Sequence, residues 1–139
     1  MSAKELYISL KKEYENYVVI IKEKHCYKTF FHDAKIMWYL FNYKYNSDIV
    51  IFGNNAFDKV VNELKEVSIN FVIISKVEEL LSYKSDNNSY LEYYELSEKA
   101  YSKILKEKEL IKKLKVILSN KEGAYEKIDN FFNTFFSNN

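Results

Sequence analysis

His25, Cys26, His32 and Asp33 form the one cluster in this chain whose residue types could hold a metal or activate a nucleophile. A metal needs three or four ligands converging on one point, whereas His25 and Cys26 are consecutive in an expected turn and His32 with Asp33 falls on the helix expected after it. The spacing does not favour convergence. A Cys–His nucleophile meets the same objection, because no third group is identifiable to orient the base. The sequence therefore predicts no catalytic residue, no metal and no cofactor, and the chain reads as non-enzymatic.

Charge offers a second kind of chemistry. Lys22, Lys24, His25 and Lys28 surround Tyr27 and Cys26, a small basic tip with an aromatic beside it. Tyr27 either stacks a base or packs beneath the lysine stems, the second being the commoner arrangement. Further on, Lys99, Lys103, Lys106, Lys108, Lys112, Lys113 and Lys115 make the one local excess of positive charge, offset by Glu107 and Glu109. On a helix, Lys108, Lys112 and Lys115 form one flank of an apolar stripe and Lys99, Lys103 and Lys106 the other. Such flanks are usually solvated. The sharper alternative is contact with nucleic-acid phosphates or an acidic partner.

Composition limits both readings. The formal charge is +1 over 139 residues, so no global electrostatic footprint of nucleic-acid binding exists. All the basic residues are lysines, which removes the planar guanidinium fork that reads guanine edges and grips phosphate bidentately. The single cysteine, Cys26, excludes an intramolecular disulfide and suits a reducing, cytoplasmic setting. No apolar run approaches the roughly 18 residues of a membrane span, and the charged N-terminal stretch does not resemble a signal peptide.

The elements that position these residues follow from periodicity. Ser2 caps a helix expected over about 3–15, with Leu6, Tyr7, Leu10 and Tyr14 on one face. Val18, Val19, Ile20 and Ile21 predict a strand at about 17–23 that is buried on both faces. Steps of three and four through Tyr27, Phe30, Phe31, Ala34, Met37, Trp38 and Phe41 then predict a helix over about 27–42. The turn between them, Lys24-His25-Cys26, sits at the carboxyl end of a strand, where α/β proteins commonly bind ligands. Strands at Ile49–Phe52 and Phe71–Ile74 bracket a helix from Ala56 to about Ser68, with Asn55 as its expected cap, and one more helical turn is expected at 76–81. The expected fold is thus α/β: a small, mostly parallel or mixed three-stranded sheet with flanking helices, the direction of the second strand being open.

The polar segment 84–89 marks an expected boundary between an α/β domain, 1–83, and a C-terminal part, 84–139. A long helix over about 89–119 and a last one over 121–136 predict an antiparallel hairpin, lying on the α/β unit or pairing with a second copy. Phe135 and Phe136 are expected to be buried.

On this pattern, VVIIKEKHCYKTFFHDA included, residues about 17–81 resemble the N-terminal mismatch-recognition domain (domain I) of the MutS family of DNA mismatch repair proteins. In that family the turn reads Gly-Asp-Phe-Tyr-Glu and an Asp-Ala follows. The phenylalanine wedges beside a mismatched base and the glutamate hydrogen-bonds to it. Tyr27, Phe30, Asp33 and Ala34 match, as do Phe52-Gly53 and the strand around Asn70 to Ser75 more loosely. Cys26 stands in place of the wedge and Lys28 in place of the glutamate, while Lys24 and His25 replace the glycine and aspartate. Cysteine offers no aromatic face and lysine accepts no hydrogen bond. The resemblance implies the fold and, together with the two lysine-rich surfaces, a stand-alone, nucleic-acid-associated accessory role without mismatch reading; the candidate contact residues are Lys22, Lys24, His25, Cys26, Tyr27 and Lys28 at the tip and Lys108, Lys112 and Lys115 on the long helix. The other expectation is a protein-interaction or dimerisation module, an adaptor or inhibitor that works through the C-terminal helices.

Overall fold

A computed structural model describes residues 1–137. The elements in chain order are α1 (Ala3–Lys11), β1 (Val18–Glu23), β2 (Cys26–Phe30), α2 (Phe31–Phe41), β3 (Ile49–Gly53), α3 (Phe57–Glu66), β4 (Phe71–Ser75), β5 (Glu79–Tyr83), α4 (Tyr90–Asn120) and α5 (Ala124–Ser137). Packing groups Met1–Tyr101 into one compact unit and the residues from Ser102 onward into another, the division falling within α4.

The first unit is a mixed α/β fold on a five-stranded sheet of order β3-β2-β1-β4-β5. Three strands were expected, and the two additional ones both come from residues assigned to helix. Residues 26–30 continue from β1 through a tight turn at Lys24-His25 and pair antiparallel with it, Glu23 opposite Cys26. Tyr, Thr and Phe in this stretch favour a pleated surface, and pairing with β1 outweighs the helical spacing that Tyr27 and Phe30 also satisfy. The helix α2 accordingly starts at Phe31, not Tyr27. Residues 79–83 likewise form a strand beside β4 rather than a helical turn. Only β1 and β4 pair in parallel, and β3 lies antiparallel to β2.

Both faces of the sheet are covered. Val19, Ile21, Phe30 and Val72 pack under Ala3 and Tyr7 of α1. Val18, Ile20, Tyr27, Val50, Phe71 and Ile73 form the opposite core with Ala34 and Met37 of α2, Val60 and Leu64 of α3, and Tyr90 of α4. Four consecutive fully buried residues, Val18 to Ile21, are the consequence. Ser2 caps α1, its Oγ accepting the Glu5 N–H at 3.1 Å. Asn55 does not cap α3, because Asn54–Ala56 form a 3₁₀ turn that leads into the helix without a side-chain cap.

The polar segment 84–89 is tied into this unit. Asn70 accepts the Ser85 N–H through Oδ1 at 2.7 Å, and Asn88 accepts the Asn70 N–H at 3.0 Å. Ser89 N–H donates to the Ser68 carbonyl. The asparagines and serines that look like a linker instead satisfy loop backbone.

The second unit consists of the remainder of α4 and α5, joined at a turn in which Gly123 has φ +74°. Leu110, Ile111, Leu114 and Ile117 of α4 and Ile128, Phe131 and Phe132 of α5 line one apolar cleft of about 540 Å³. Among the described residues of this unit only Ala124 is buried.

Candidate functional site

The β1–β2 tip does not gather all the residues expected there. Lys22 and Lys24 line a groove of about 520 Å³ together with Glu23, Ser75, Lys76 and Val77. This is the carboxyl end of the parallel pair β1 and β4, the position an α/β sheet offers to ligands. Lys76 and Ser75 belong to the site and were not singled out in the sequence. The available signal was their place just after β4, matching that of Lys22 to Lys24 on β1. Ser75 Oγ accepts the N–H groups of Val77 and Glu78, which folds the neighbouring hairpin and fixes that rim.

Tyr27 is 5% exposed and stacks on Phe52 at 5.1 Å, with Phe57 at 5.2 Å. It is core, and cannot stack a base. Lys22 Nζ lies 5.8 Å from its ring centroid, so the lysine packs over the tyrosine. Lys28 is on a strand rather than at the start of a helix and is held by Glu23 at 2.6 Å, with Lys76 at 3.5 Å from the same carboxylate. The Lys28 hydrogen bond is the main cause of a lowered Glu23 carboxyl pKa, and the same bond raises that of Lys28. Cys26 donates its thiol to the Glu23 carbonyl at 3.3 Å, and His25 is exposed at the turn. Lys24, with φ 58°, occupies backbone that glycine usually fills.

Asp33 is the best-connected polar residue; the sequence offered it as a weak metal candidate and as part of the Asp-Ala match to the MutS pattern. It is fully buried. Oδ2 accepts the Tyr7 hydroxyl at 2.7 Å and the Val19 N–H at 3.0 Å, Oδ1 accepts the Tyr90 hydroxyl at 2.6 Å, and Lys11 Nζ lies 3.2 Å from Oδ2. Burial raises the pKa of both tyrosines well above the ordinary value, and the adjacent carboxylate adds to it. With its oxygens occupied from three elements, this carboxylate joins α1, β1 and α4 rather than facing a substrate. His32 faces outward and meets Glu98 at 2.8 Å through Nδ1 and Tyr94 at 3.1 Å through Nε2. Partial burial alone would raise the Glu98 carboxyl, but hydrogen bonds with His32 and Lys35 outweigh it and hold its pKa low. His25 and Cys26 therefore stand apart from His32 and Asp33. Among the described residues no three His, Cys, Asp or Glu side chains are placed to hold a metal ion.

In the second unit Lys108, Lys112 and Lys115 are exposed along α4. The apolar residues beside them are exposed too: Leu110 68%, Ile111 52%, Phe131 65% and Phe132 42%. Phe135 and Phe136, expected to be buried, are 56% and 71% exposed. The physical reason is width. At about 100° per residue, Tyr125, Ile128, Phe131, Phe132, Phe135 and Phe136 spread over roughly 140° of α5, more than a single neighbouring helix covers.

The fold and its surfaces define a mixed five-stranded α/β protein with an amphipathic helical pair. No protein-family model and no curated protein matches the chain. Among the described residues no helix is long and apolar enough to cross a membrane.

Proposed function

We propose that this chain is a non-enzymatic protein-interaction module, working in a reducing cytoplasmic setting through the uncovered apolar face of Ser102–Ser137. One observation carries the reading: large apolar side chains on both helices, Leu110, Ile111, Phe131 and Phe136 among them, are more than half exposed. Apolar patches above a few hundred Å² are uncommon on monomers and mark interaction surfaces. The flanking Lys108, Lys112 and Lys115 supply the polar rim typical of such surfaces. A photo-cross-linking residue in place of Phe136, in the full chain and in its native cells, tests it. A discrete polypeptide adduct is expected there and not from the same probe at the exposed Lys59 of α3. No adduct at position 136 would contradict the reading.

A second reading rests on the lysine groove. Lys22, Lys24 and Lys76 surround an open site at the strand ends, which suits a phosphate-bearing partner. The resemblance to the MutS mismatch-recognition domain supports a nucleic-acid-associated accessory protein with that site as its contact. The +1 balance and Glu23 inside the groove weaken the attraction, and so this reading ranks second.

A further inference from the structure

We infer that the partner of the helical face is a second copy of this chain, the two copies packing their α4–α5 pairs into a four-helix bundle. This rests on the interaction-module reading and names its occupant. Three observations lead to it.

The first is area. Leu110, Ile111, Ile117, Phe131, Phe132 and Phe136 stand between 38% and 71% exposed. With Leu118 and Tyr125, 41% and 66% exposed, and at 150–250 Å² for a large aromatic side chain and somewhat less for an aliphatic one, the uncovered apolar surface of this unit is roughly 800 Å². A stable interface takes about 800 Å² per partner. One face of one helical pair is enough.

The second is geometry. The α4 stripe runs from Ile117 and Leu110 on one edge to Ile111 and Ile104 on the other, roughly 140° apart at 100° per residue. The α5 stripe is equally wide. A helix with so broad a stripe requires two neighbours, and this unit supplies one. Two hairpins provide four helices, each with two neighbours, and the assembly closes by a two-fold axis.

The third is charge, which sets the pairing. From Ser102 to Asn120, α4 carries six lysines against Glu107 and Glu109, whereas α5 carries Glu126 and Asp129 against Lys127. Placing α4 on the partner's α4 would oppose two strongly basic helices. Placing α4 on the partner's α5 opposes basic to acidic on both sides of the axis, as an isologous interface requires.

Sedimentation equilibrium of the full chain at low salt is the test. The expected mass is twice the 16.7 kDa of one chain. Ile111→Asp with Phe132→Asp reduces it to a single chain, with the circular dichroism of the sheet retained. Because that variant can unfold the helices, Glu126→Lys with Asp129→Lys, both exposed, provides the second arm. It weakens dimerisation by tenfold or more at low salt and by much less at 0.5 M salt, as screened charge contacts do. A single-chain mass at tens of micromolar overturns the dimer, as does a dimer that neither variant weakens. In such a monomer, slow amide exchange across α4 and α5 leaves the interaction module standing with another partner, and exchange at the rate of an unfolded chain removes both.

Discussion

The carboxylate of Asp33 accepts the backbone N–H of Val19 at 3.0 Å, taking the place of a strand partner. β2 pairs with β1 only at Ile21, Lys22 and Glu23 before the chain turns into α2. Thr29 Oγ1 completes the substitution by donating to the Val19 carbonyl at 2.9 Å. Two side chains thereby extend the ladder where the backbone has left it. Phe31, at φ 53°, makes the turn that delivers Asp33 to this position.

Removing that carboxylate should unfold the sheet from its centre. Asp33→Ala leaves the Val19 N–H and two tyrosine hydroxyls without their acceptor and the Lys11 ammonium, still bonded to the Tyr17 carbonyl, without its ion-pair partner, and a loss of about 3–5 kcal/mol is expected. Asp33→Asn also loses stability, because its amide hydrogens oppose donors. Urea unfolding followed by Trp38 fluorescence measures both. A loss below about 1 kcal/mol for the alanine variant would show that water replaces the carboxylate.

Alkaline pH provides an independent check. The Tyr7 and Tyr90 pKa values are raised in the folded state by burial and by Asp33. Their stabilisation is therefore complete below the unfolded value of about 10 and is lost as pH rises above it. Each contributes a fall of about 1.4 kcal/mol per pH unit there. Tyr7→Phe should lower stability by about 1–2 kcal/mol at neutral pH and make the alkaline decline shallower. Equal slopes for the variant and the parent would contradict this assignment.

The turn between α4 and α5 depends on backbone alone. Gly123 has φ +74°, and no atom lies within 4 Å of a Cβ added there. Gly123→Ala should therefore cost about 1–2 kcal/mol by the left-handed conformation, and Gly123→Asn less, since asparagine tolerates it. Amide exchange of α5 reads the difference. Equal protection in all three proteins would mean that the turn is not held in this conformation in solution.

The second reading places phosphate contact in the groove at the strand ends. Lys22→Gln, Lys24→Gln and Lys76→Gln together should reduce the salt slope of duplex DNA binding by up to about 3, near 0.9 for each lysine in contact. Lys28→Gln should leave it unchanged, because Lys28 is held by Glu23. A matching loss from Lys28→Gln would move the contact to the opposite side of the hairpin.

Much of the scaffold was legible from apolar pattern alone. The strands at 18–23, 49–53 and 71–75 and the long terminal helices follow directly from runs of β-branched residues and from helical stripes. β2 and β5 were not legible, since Lys24-His25 carries none of the Asn-Gly or Asp-Gly signals of a tight hairpin and Tyr27–Phe31 fits both periods. Lys76 was hidden for the same reason: with 76–81 read as helix, nothing placed it beside Lys22. Asp33 stood in plain view within an apolar helix face, but its partners Tyr7, Lys11 and Tyr90 lie 22 to 57 residues away in sequence. The exposure of Phe136 could not follow from a pattern that shows only that a residue seeks cover.

Amide hydrogen exchange of the intact chain at low and high protein concentration tests the central claim most directly. The account predicts that amides of α4 beyond Ser102 and of α5 become more protected as concentration rises, while those of β1 and β4 do not change. Protection in α4 and α5 that is independent of concentration would contradict it.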